Sequence, residues 1–288
     1  MLPEDKEKTT QCFTMLDEMI GLEEVKSRIK KVIAYAKLKK DLEAEGKEFI
    51  PIALNMCFVG NPGTAKTSVA RILAGILYEI GLLSNRYPLE VGRADLVAQY
   101  VGQTADRVKD IFRRSRGKLL FIDEAYSLSD QKAGSFGDEA INTIVQKMEN
   151  HRDETVVVFA GYPKEMDAFM SRNPGLRSRV PFVIRFDDYS SEELTQIAEA
   201  EAHKRGFSIN PSARKKIQSV CKAVKKGSDF GNGRFCRTLI ESAVLNYSER
   251  IYSTDNTKRK LVLTAKDFED ACINESWKQG IVDHSISA

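Results

Sequence analysis

The sequence predicts an open α/β sheet followed by a helical domain. Five short apolar runs, rich in branched and aromatic residues, alternate with segments of helical spacing between Ile52 and Phe186. That alternation is the pattern of a sheet covered by helices on both faces. Beyond Asp187 the strand signals fade and helical ones take over. A chain of 288 residues accommodates about two domains of ordinary size, each able to bury its own core.

The elements follow in order. Residues 1–17 read as a polar leader, and Gly21–Lys40 as a basic amphipathic helix. The five strand candidates are Ile52–Val59, Tyr87–Val91, Leu119–Asp123, Thr155–Ala160 and Pro181–Phe186. Leu119-Leu120-Phe121-Ile122 and Val156-Val157-Val158-Phe159 do not alternate, which suits strands buried on both faces of a parallel sheet. Between the runs, Val69, Ile72, Leu73, Ile76 and Leu77 form one helical stripe, and Val108, Ile111 and Phe112 another. Ser190-Ser191-Glu192-Glu193 predicts a capping box opening a helix that Gly206 ends. Asn210-Pro211 reads as a cap with proline at the first helical position. A break over Gly227–Gly233 precedes a stripe of Phe235, Leu239, Ile240, Val244 and Leu245. Thr264 is placed to cap a last helix through Ala271. The expected organisation is a leader over 1–17, an α/β domain over 18–187 and a helical domain over 188–288.

Composition narrows the function. Hydrophobic residues at 42% and charged residues at 30% describe a folded, well-solvated chain rather than a disordered one. Lys and Arg total 44 against 41 Asp and Glu, a net charge of +3 that advertises no nucleic-acid surface. Lys37-Leu38-Lys39-Lys40, Lys225-Lys226 and Lys258-Arg259-Lys260 read as solvated faces. No uncharged apolar run reaches the roughly 18 residues of a membrane span. The N-terminal residues lack the pattern of a secretory signal. Cys12, Cys57, Cys221, Cys236 and Cys272 are scattered, and His151, His203 and His284 have no ligand spacing. Neither a disulfide framework nor a metal site besides Mg²⁺ is expected. The expected setting is the reducing cytoplasm.

The chemistry concentrates in two segments. Gly60-Asn61-Pro62-Gly63-Thr64-Ala65-Lys66-Thr67, followed by Ser68, lies after the first strong strand and opens the stripe beginning at Val69. Strand, glycine-rich turn and helix N-terminus together make a phosphate-binding loop. The turn's N–H groups and the positive helix end favour phosphate. Lys66 is placed to reach the β- and γ-phosphates of ATP, and Thr67 to bind Mg²⁺. The motif's usual glycine before the lysine is Ala65, tolerable if that residue has helical φ. The second segment, Leu119-Leu120-Phe121-Ile122-Asp123-Glu124, ends an apolar strand in two acids. Asp123 suits the Mg²⁺ shell and Glu124 the polarisation of the attacking water. The pair together predicts ATP binding and Mg²⁺-dependent hydrolysis.

With these in place, the chain resembles the AAA+ ATPases, and within them the group of stage V sporulation protein K and the red-type rubisco activase CbbX. The resemblance runs from about Leu16 to Ile273. It is carried by Leu16-Asp17-Glu18-Met19-Ile20-Gly21-Leu22, by the phosphate loop, and by Arg93-Ala94-Asp95-Leu96-Val97-Ala98-Gln99-Tyr100-Val101-Gly102-Gln103-Thr104. It continues through Phe121-Ile122-Asp123-Glu124-Ala125-Tyr126, Asn173-Pro174-Gly175-Leu176-Arg177-Ser178-Arg179 and Gly231-Asn232-Gly233-Arg234-Phe235. The resemblance implies a sheet ordered 5-1-4-3-2, a helical lid, and a homo-oligomeric ring, hexameric as a rule, with ATP between neighbours.

Residue roles follow from the same resemblance. Arg179 matches the arginine that enters the neighbour's ATP site, with Arg177 the competing candidate. Arg234 matches the lid arginine that closes on the phosphates, with Arg237 as competitor. Ile20 and Gly21 resemble the adenine-contacting turn, although Ile20 also suits a plain core position. Where members usually carry Asn or Thr at the end of the fourth strand, this chain has Tyr162, which suits either orienting water or packing. Tyr100-Val101-Gly102 occupies the central pore loop, implying a protein partner gripped by an aromatic; its identity is left open. The expected function is a ring ATPase that remodels that partner. One alternative is a nonthreading ATP-dependent switch or scaffold in which Tyr100 is structural. A nucleic-acid motor or loader is disfavoured by charge.

Overall fold

The computed structural model describes residues 11–47, 52–98, 100, 102–129, 136–223, 230–252 and 260–269. The chain divides into two compact units, one comprising 1–60 and 65–186, the other 61–64 and 187–288.

The first unit is built on a parallel sheet of β1 (Met56–Gly60), β2 (Leu89–Val91), β3 (Leu119–Ile122), β4 (Val156–Gly161) and β5 (Phe182–Phe186). The strand order is β2-β3-β4-β1-β5, the expected 5-1-4-3-2 read from the other edge. Every residue of β1, β3 and β4 is buried, which is why their sequences run apolar without alternation. The edge strand β5 alternates instead, burying Ile184 and Phe186 while Val183 and Arg185 are exposed. Register sets Met56 beside Val158 and Phe182, and Leu119 beside Val156.

Each expected strand is present, with different ends. The first run loses Ile52 to Asn55, and Asn55 explains the boundary. Its side chain, rather than a backbone carbonyl, accepts the Val157 N–H at 2.9 Å and donates to the Arg179 carbonyl at 3.1 Å. The second run contracts to Leu89–Val91 because Tyr87, 71% exposed, stands outside the sheet.

The helices of this unit are α1 (Glu23–Ala44), α2 (Lys66–Glu79), α3 (Arg93–Leu96), α4 (Thr104–Arg114), α5 (Phe136–Asn150), α6 (Pro163–Arg172) and α7 (Pro174–Arg179), with a 3-10 turn at Ala125–Ser129. All five residues of the α2 stripe and all three of the α4 stripe are buried. On one face of the sheet, Val108 and Phe112 of α4 and Ala140 and Ile144 of α5 join Leu120, Ile122, Val157 and Phe159 in one apolar cluster. Burial of this kind contributes about 25 cal/mol per Å². Residues 11–17, expected as part of a polar leader, are helical and bury Cys12 and Leu16; residues 1–10 lie outside the described set.

The second unit contains α8 (Ser191–Lys204), α9 (Pro211–Ala223), α10 (Gly233–Tyr252) and a 3-10 turn at Ala265–Phe268. Its capping signals act as expected. Ser190 Oγ accepts the Glu193 N–H at 3.2 Å while Glu193 Oε2 accepts the Ser190 N–H at 2.6 Å. Asn210 Oδ1 accepts from the Ala213 N–H at 2.8 Å. Three expectations need correction. A short parallel ladder, β6 (Ser208–Ile209) with β7 (Val262–Leu263), occurs where no strong strand was anticipated. Two residues per strand leave too short a run for alternation to register. Leu245 is 71% exposed. Ala243 and Tyr247 complete the α10 stripe instead, because the buried face follows Leu239 and Ile240 by three- and four-residue steps. Finally, Thr264 opens a 3-10 turn ending at Phe268, and Ala271 lies outside the described residues, as do 227–229 of the expected break. In this turn Arg250 Nε and Nη2 donate to the two carboxylate oxygens of Asp267 at 2.8 and 3.0 Å, clamping it to α10.

Candidate nucleotide site

The phosphate loop leaves β1 at Gly60 and enters α2 at Lys66. Lys66 is buried, and its Nζ donates to the Gly60 carbonyl at 2.7 Å, so the cation is folded back over the turn. Thr67 is half-buried and Ser68 exposed. Ala65 departs from expectation. Its φ of 68° and ψ of 20° are left-handed, not helical. An L-residue with a Cβ is strained there by about 1–2 kcal/mol. The glycine usual at this position would adopt it freely.

The acids stand just past β3. Asp123 donates its N–H to the Val91 carbonyl at 2.9 Å, prolonging the ladder to β2 by one bond. Its Oδ1 accepts the Glu124 N–H at 3.0 Å. Glu124 has φ 47°, a second left-handed residue, and turns out to an exposed position. A threonine hydroxyl and a carboxylate are the hard oxygen donors that Mg²⁺ takes, so Thr67 and Asp123 fit that ion chemically. Tyr162 follows β4 and begins α6 as its cap. Its hydroxyl donates to Glu124 Oε1 at 3.4 Å, and its ring centroid lies 5.8 Å from Lys66 Nζ. The Tyr126 ring packs against it at 5.5 Å. Burial first, then the Glu124 carboxylate, pushes the Tyr126 phenol well above the ordinary tyrosine range.

Within the second unit, Asn232 is the hub. It is fully buried at φ 44°, a left-handed conformation that asparagine tolerates better than most residues. Its Nδ2 donates to Asp188 Oδ1 at 2.7 Å and to the Pro62 carbonyl at 3.2 Å, and its Oδ1 accepts the Tyr189 N–H at 3.1 Å. Asn61 Nδ2 donates to both Asp188 oxygens at 3.0 Å, and Thr64 Oγ1 to the Asn61 carbonyl at 2.8 Å. The Gly233 N–H donates to the Gly63 carbonyl at 3.0 Å. Gly63 has φ 71°, and a Cβ on it would run into the Gly231 carbonyl oxygen. Arg234 is exposed on the first turn of α10.

Among the described residues, the non-glycine positions with positive φ are Leu22, Ala65, Glu124 and Asn232. Each lies in one of the segments singled out from sequence. Strained backbone of this kind gathers at functional sites. Sequence reasoning missed Asp188 and the anchoring role of Asn232. The Gly-Asn-Gly break was visible, but nothing in sequence paired it with an acid 44 positions earlier.

The remaining site candidates are spread through the first unit. Ile20 and Gly21 are half-buried ahead of α1. Tyr100 is 68% exposed between α3 and α4; Gly102 is described, and Val101 is not. Arg179, at the end of α7, donates through Nε to Glu149 Oε2 at 3.0 Å and through Nη1 to the Gly175 carbonyl at 3.1 Å. Arg177, on the same helix, is exposed.

A phosphate loop after the interior strand β1 and paired acids after β3 of such a sheet define a P-loop ATPase. The comparisons with known proteins carry this further. A family profile described as "ATPase family associated with various cellular activities (AAA)" matches residues 56–188, and one described as "AAA lid domain" matches 190–278. Stage V sporulation protein K of Bacillus subtilis is 38% identical, covering 90% of this chain and 81% of the relative. The chloroplastic ribulose bisphosphate carboxylase/oxygenase activase of Cyanidioschyzon merolae is 38% identical, covering 87% of each. Protein CbbX of Cereibacter sphaeroides is 37% identical, covering 83% of this chain and 78% of the relative. The chain therefore belongs to the AAA ATPases, in the group of stage V sporulation protein K and CbbX, and is an ATP-hydrolysing enzyme. The crystal structure of the FIGL-1 AAA domain shares the fold at a TM-score of 0.63 and 18% identity, covering 91% of this chain and 85% of that one. A Thermotoga maritima RuvB mutant does so at 0.58 and 20% identity, covering 89% and 71%. No helix among the described residues is long and apolar enough to cross a membrane.

Proposed function

We propose that the chain assembles into a homo-oligomeric ring, hexameric by family resemblance, and couples ATP hydrolysis to remodelling of a protein partner gripped in the pore. Tyr100 is the observation that carries this reading. The ends of its loop are tied. Thr104 Oγ1, on a fully buried residue, accepts the Ala98 N–H at 3.2 Å, and Arg107 donates to the Ala94 and Val97 carbonyls, both at 3.1 Å. A large aromatic held exposed on a tethered loop offers an apolar face at small entropic cost. The name of the C. merolae relative makes another enzyme its target, which supports a protein partner here.

In this reading the α/β domain spans 18–187 and the lid 188–288. Asn61 to Ser68 cradle the phosphates and Lys66 neutralises the β- and γ-oxygens. Thr67 and Asp123 hold Mg²⁺, which supplies further charge neutralisation there. Glu124 accepts the proton of the attacking water. Ile20 and Gly21 face the adenine, and Arg234 binds phosphate from the lid. Arg179 leaves Glu149 to act in a neighbour's site; Arg177 is its alternative. Buried free thiols at Cys12, Cys57, Cys221 and Cys236 suit the reducing cytoplasm, where we place the protein.

The test is affinity capture with Glu124→Gln, which should hold the ATP state. One protein enriched with ATP over ADP, and lost when Tyr100→Ala is added, is the expected result. Capture and remodelling that persist with Tyr100→Ala would favour the switch. Salt-sensitive stimulation of ATPase by DNA, without stimulation by the captured protein, would favour a nucleic-acid motor.

A further inference from the structure

The second unit includes residues 61–64 of the phosphate loop and holds them by their carbonyls. The Gly233 N–H donates to the Gly63 carbonyl at 3.0 Å, and Asn232 Nδ2 to the Pro62 carbonyl at 3.2 Å. A trans peptide is planar, with its C=O and N–H pointing opposite ways. Fixing these two carbonyls therefore fixes the N–H groups of Gly63 and Thr64 and turns both away from Asn232 and Gly233. The peptide before them carries no N–H, because residue 62 is proline. Successive N–H groups held in a turn make a concavity that suits an anion.

The Asn232 amide fits only one way round. Its Oδ1 accepts the Tyr189 N–H at 3.1 Å, so Nδ2 takes the other side. There it donates to Asp188 Oδ1 at 2.7 Å and faces the Pro62 and Phe230 carbonyls at 3.2 and 3.4 Å. Both Asp188 oxygens also accept from Asn61 Nδ2 at 3.0 Å. One carboxylate thus ties Asn61 of the loop to the residue that orients the next peptides. By charge alone an acid is a poor neighbour for a phosphate site, so what it holds must explain its place.

We propose that Asn232 and Asp188 are positioning residues for ATP binding: they set the peptide planes after Pro62 and Gly63 so that the N–H groups of Gly63 and Thr64 face the phosphates. The proposal rests on the phosphate-loop reading of residues 60–67. Neither side chain needs to touch the nucleotide. Their contribution is preorganisation, which spares ATP the cost of ordering the loop as it binds.

The experiment titrates labelled ATP into the wild type, Lys66→Ala, Asn232→Ala and Asp188→Ala, at a temperature where thermal scans show each to be folded. Asn232→Ala should weaken ATP binding by about 3- to 10-fold, the span of one net hydrogen bond. Asp188→Ala gives a test by sign. Losing a negative charge beside an anion site should tighten ATP if charge is all that matters. Loss of positioning should weaken it instead, again by about 3- to 10-fold. In steady state the deficit should fall on KM more than on kcat. If Asn232→Ala does not fold, Asp188→Ala decides alone. Affinity equal to or tighter than wild type in either folded variant, or a loss confined to kcat, overturns the proposal. With Lys66→Ala unable to bind, the phosphate-loop reading then still stands. Wild-type affinity in Lys66→Ala overturns both.

Discussion

Asn232 donates from its side-chain amide to Asp188 Oδ1 at 2.7 Å, joining the start of α10 to the segment just after β5. The same amide bonds the Pro62 carbonyl, and its oxygen takes the Tyr189 N–H, so a single buried side chain organises three stretches of backbone. Removing it takes the acceptor from the buried Tyr189 N–H and a donor from both Asp188, which keeps Asn61, and the Pro62 carbonyl. Asn232→Ala should therefore destabilise the protein by about 2–3 kcal/mol. Asn232→Asp keeps the size and the acceptor but sets a second carboxylate against Asp188, and should cost at least as much. Thermal midpoints check both; an aspartate variant as stable as wild type would disprove the amide's role.

Ala65 offers the opposite sign. Its φ of 68° strains a residue carrying a Cβ. Ala65→Gly should stabilise the protein by about 1 kcal/mol, the relief of left-handed strain exceeding the added entropy of the unfolded chain. ATP affinity should hold or rise, because the loop's path is unchanged. Urea unfolding and labelled-ATP titration measure the two effects. A destabilised Ala65→Gly variant would contradict the left-handed assignment.

Lys66 and Glu124 should separate binding from turnover. Lys66→Ala removes the buried cation that bonds the Gly60 carbonyl, and tight ATP binding should be lost. Glu124→Gln preserves shape and removes only the proton acceptor. Its ATP affinity should stay within about twofold while kcat falls by roughly 10²–10⁴. Equal affinity in wild type and Lys66→Ala would remove the phosphate-loop assignment.

The grip proposed for Tyr100 is apolar contact, so Tyr100→Phe should keep partner-stimulated ATPase and Tyr100→Ala should lose it. Basal ATPase should survive both, because Thr104 and Arg107, not Tyr100, hold the loop's ends. Turnover with and without the captured partner gives the answer.

Asp267 predicts an acid-sensitive lid. Burial raises its carboxyl pKa, but hydrogen bonds from Arg250 and from Thr264 outweigh burial and leave it below the usual aspartate value. A group lowered in the folded state contributes stability above its unfolded pKa, about 3.9, and loses it as pH falls through the folded value. The wild type should therefore exceed Asp267→Asn in stability at pH 7, by about 1–2 kcal/mol given the partly exposed Arg250. The gap should narrow below about pH 4. Thermal midpoints from pH 7 to pH 3 test this, and a gap that does not change with pH would rule the ion pair out as its source.

By itself, the sequence determined what depends on neighbours along the chain. Buried parallel strands must be continuously apolar, so β1, β3 and β4 were legible as runs. Ser190 and Asn210 bond N–H groups only three residues away, so their caps were legible too. The phosphate loop and the Asp123-Glu124 pair could be read because their chemistry is local. Tertiary structure alone decided what depends on distant contacts or on backbone dihedrals that composition leaves open. Ala65 reads as helical beside Lys66, yet the turn needs a left-handed residue there. Leu245 has the right chemistry for the core but the wrong angle around α10. Asn55 ends β1 only because Val157 lies 102 positions away in sequence and 2.9 Å away in space. Tyr162 was a polar atom or a packing ring until the strand order set it against Glu124, because sheet neighbours are chosen by crossover topology rather than by sequence adjacency.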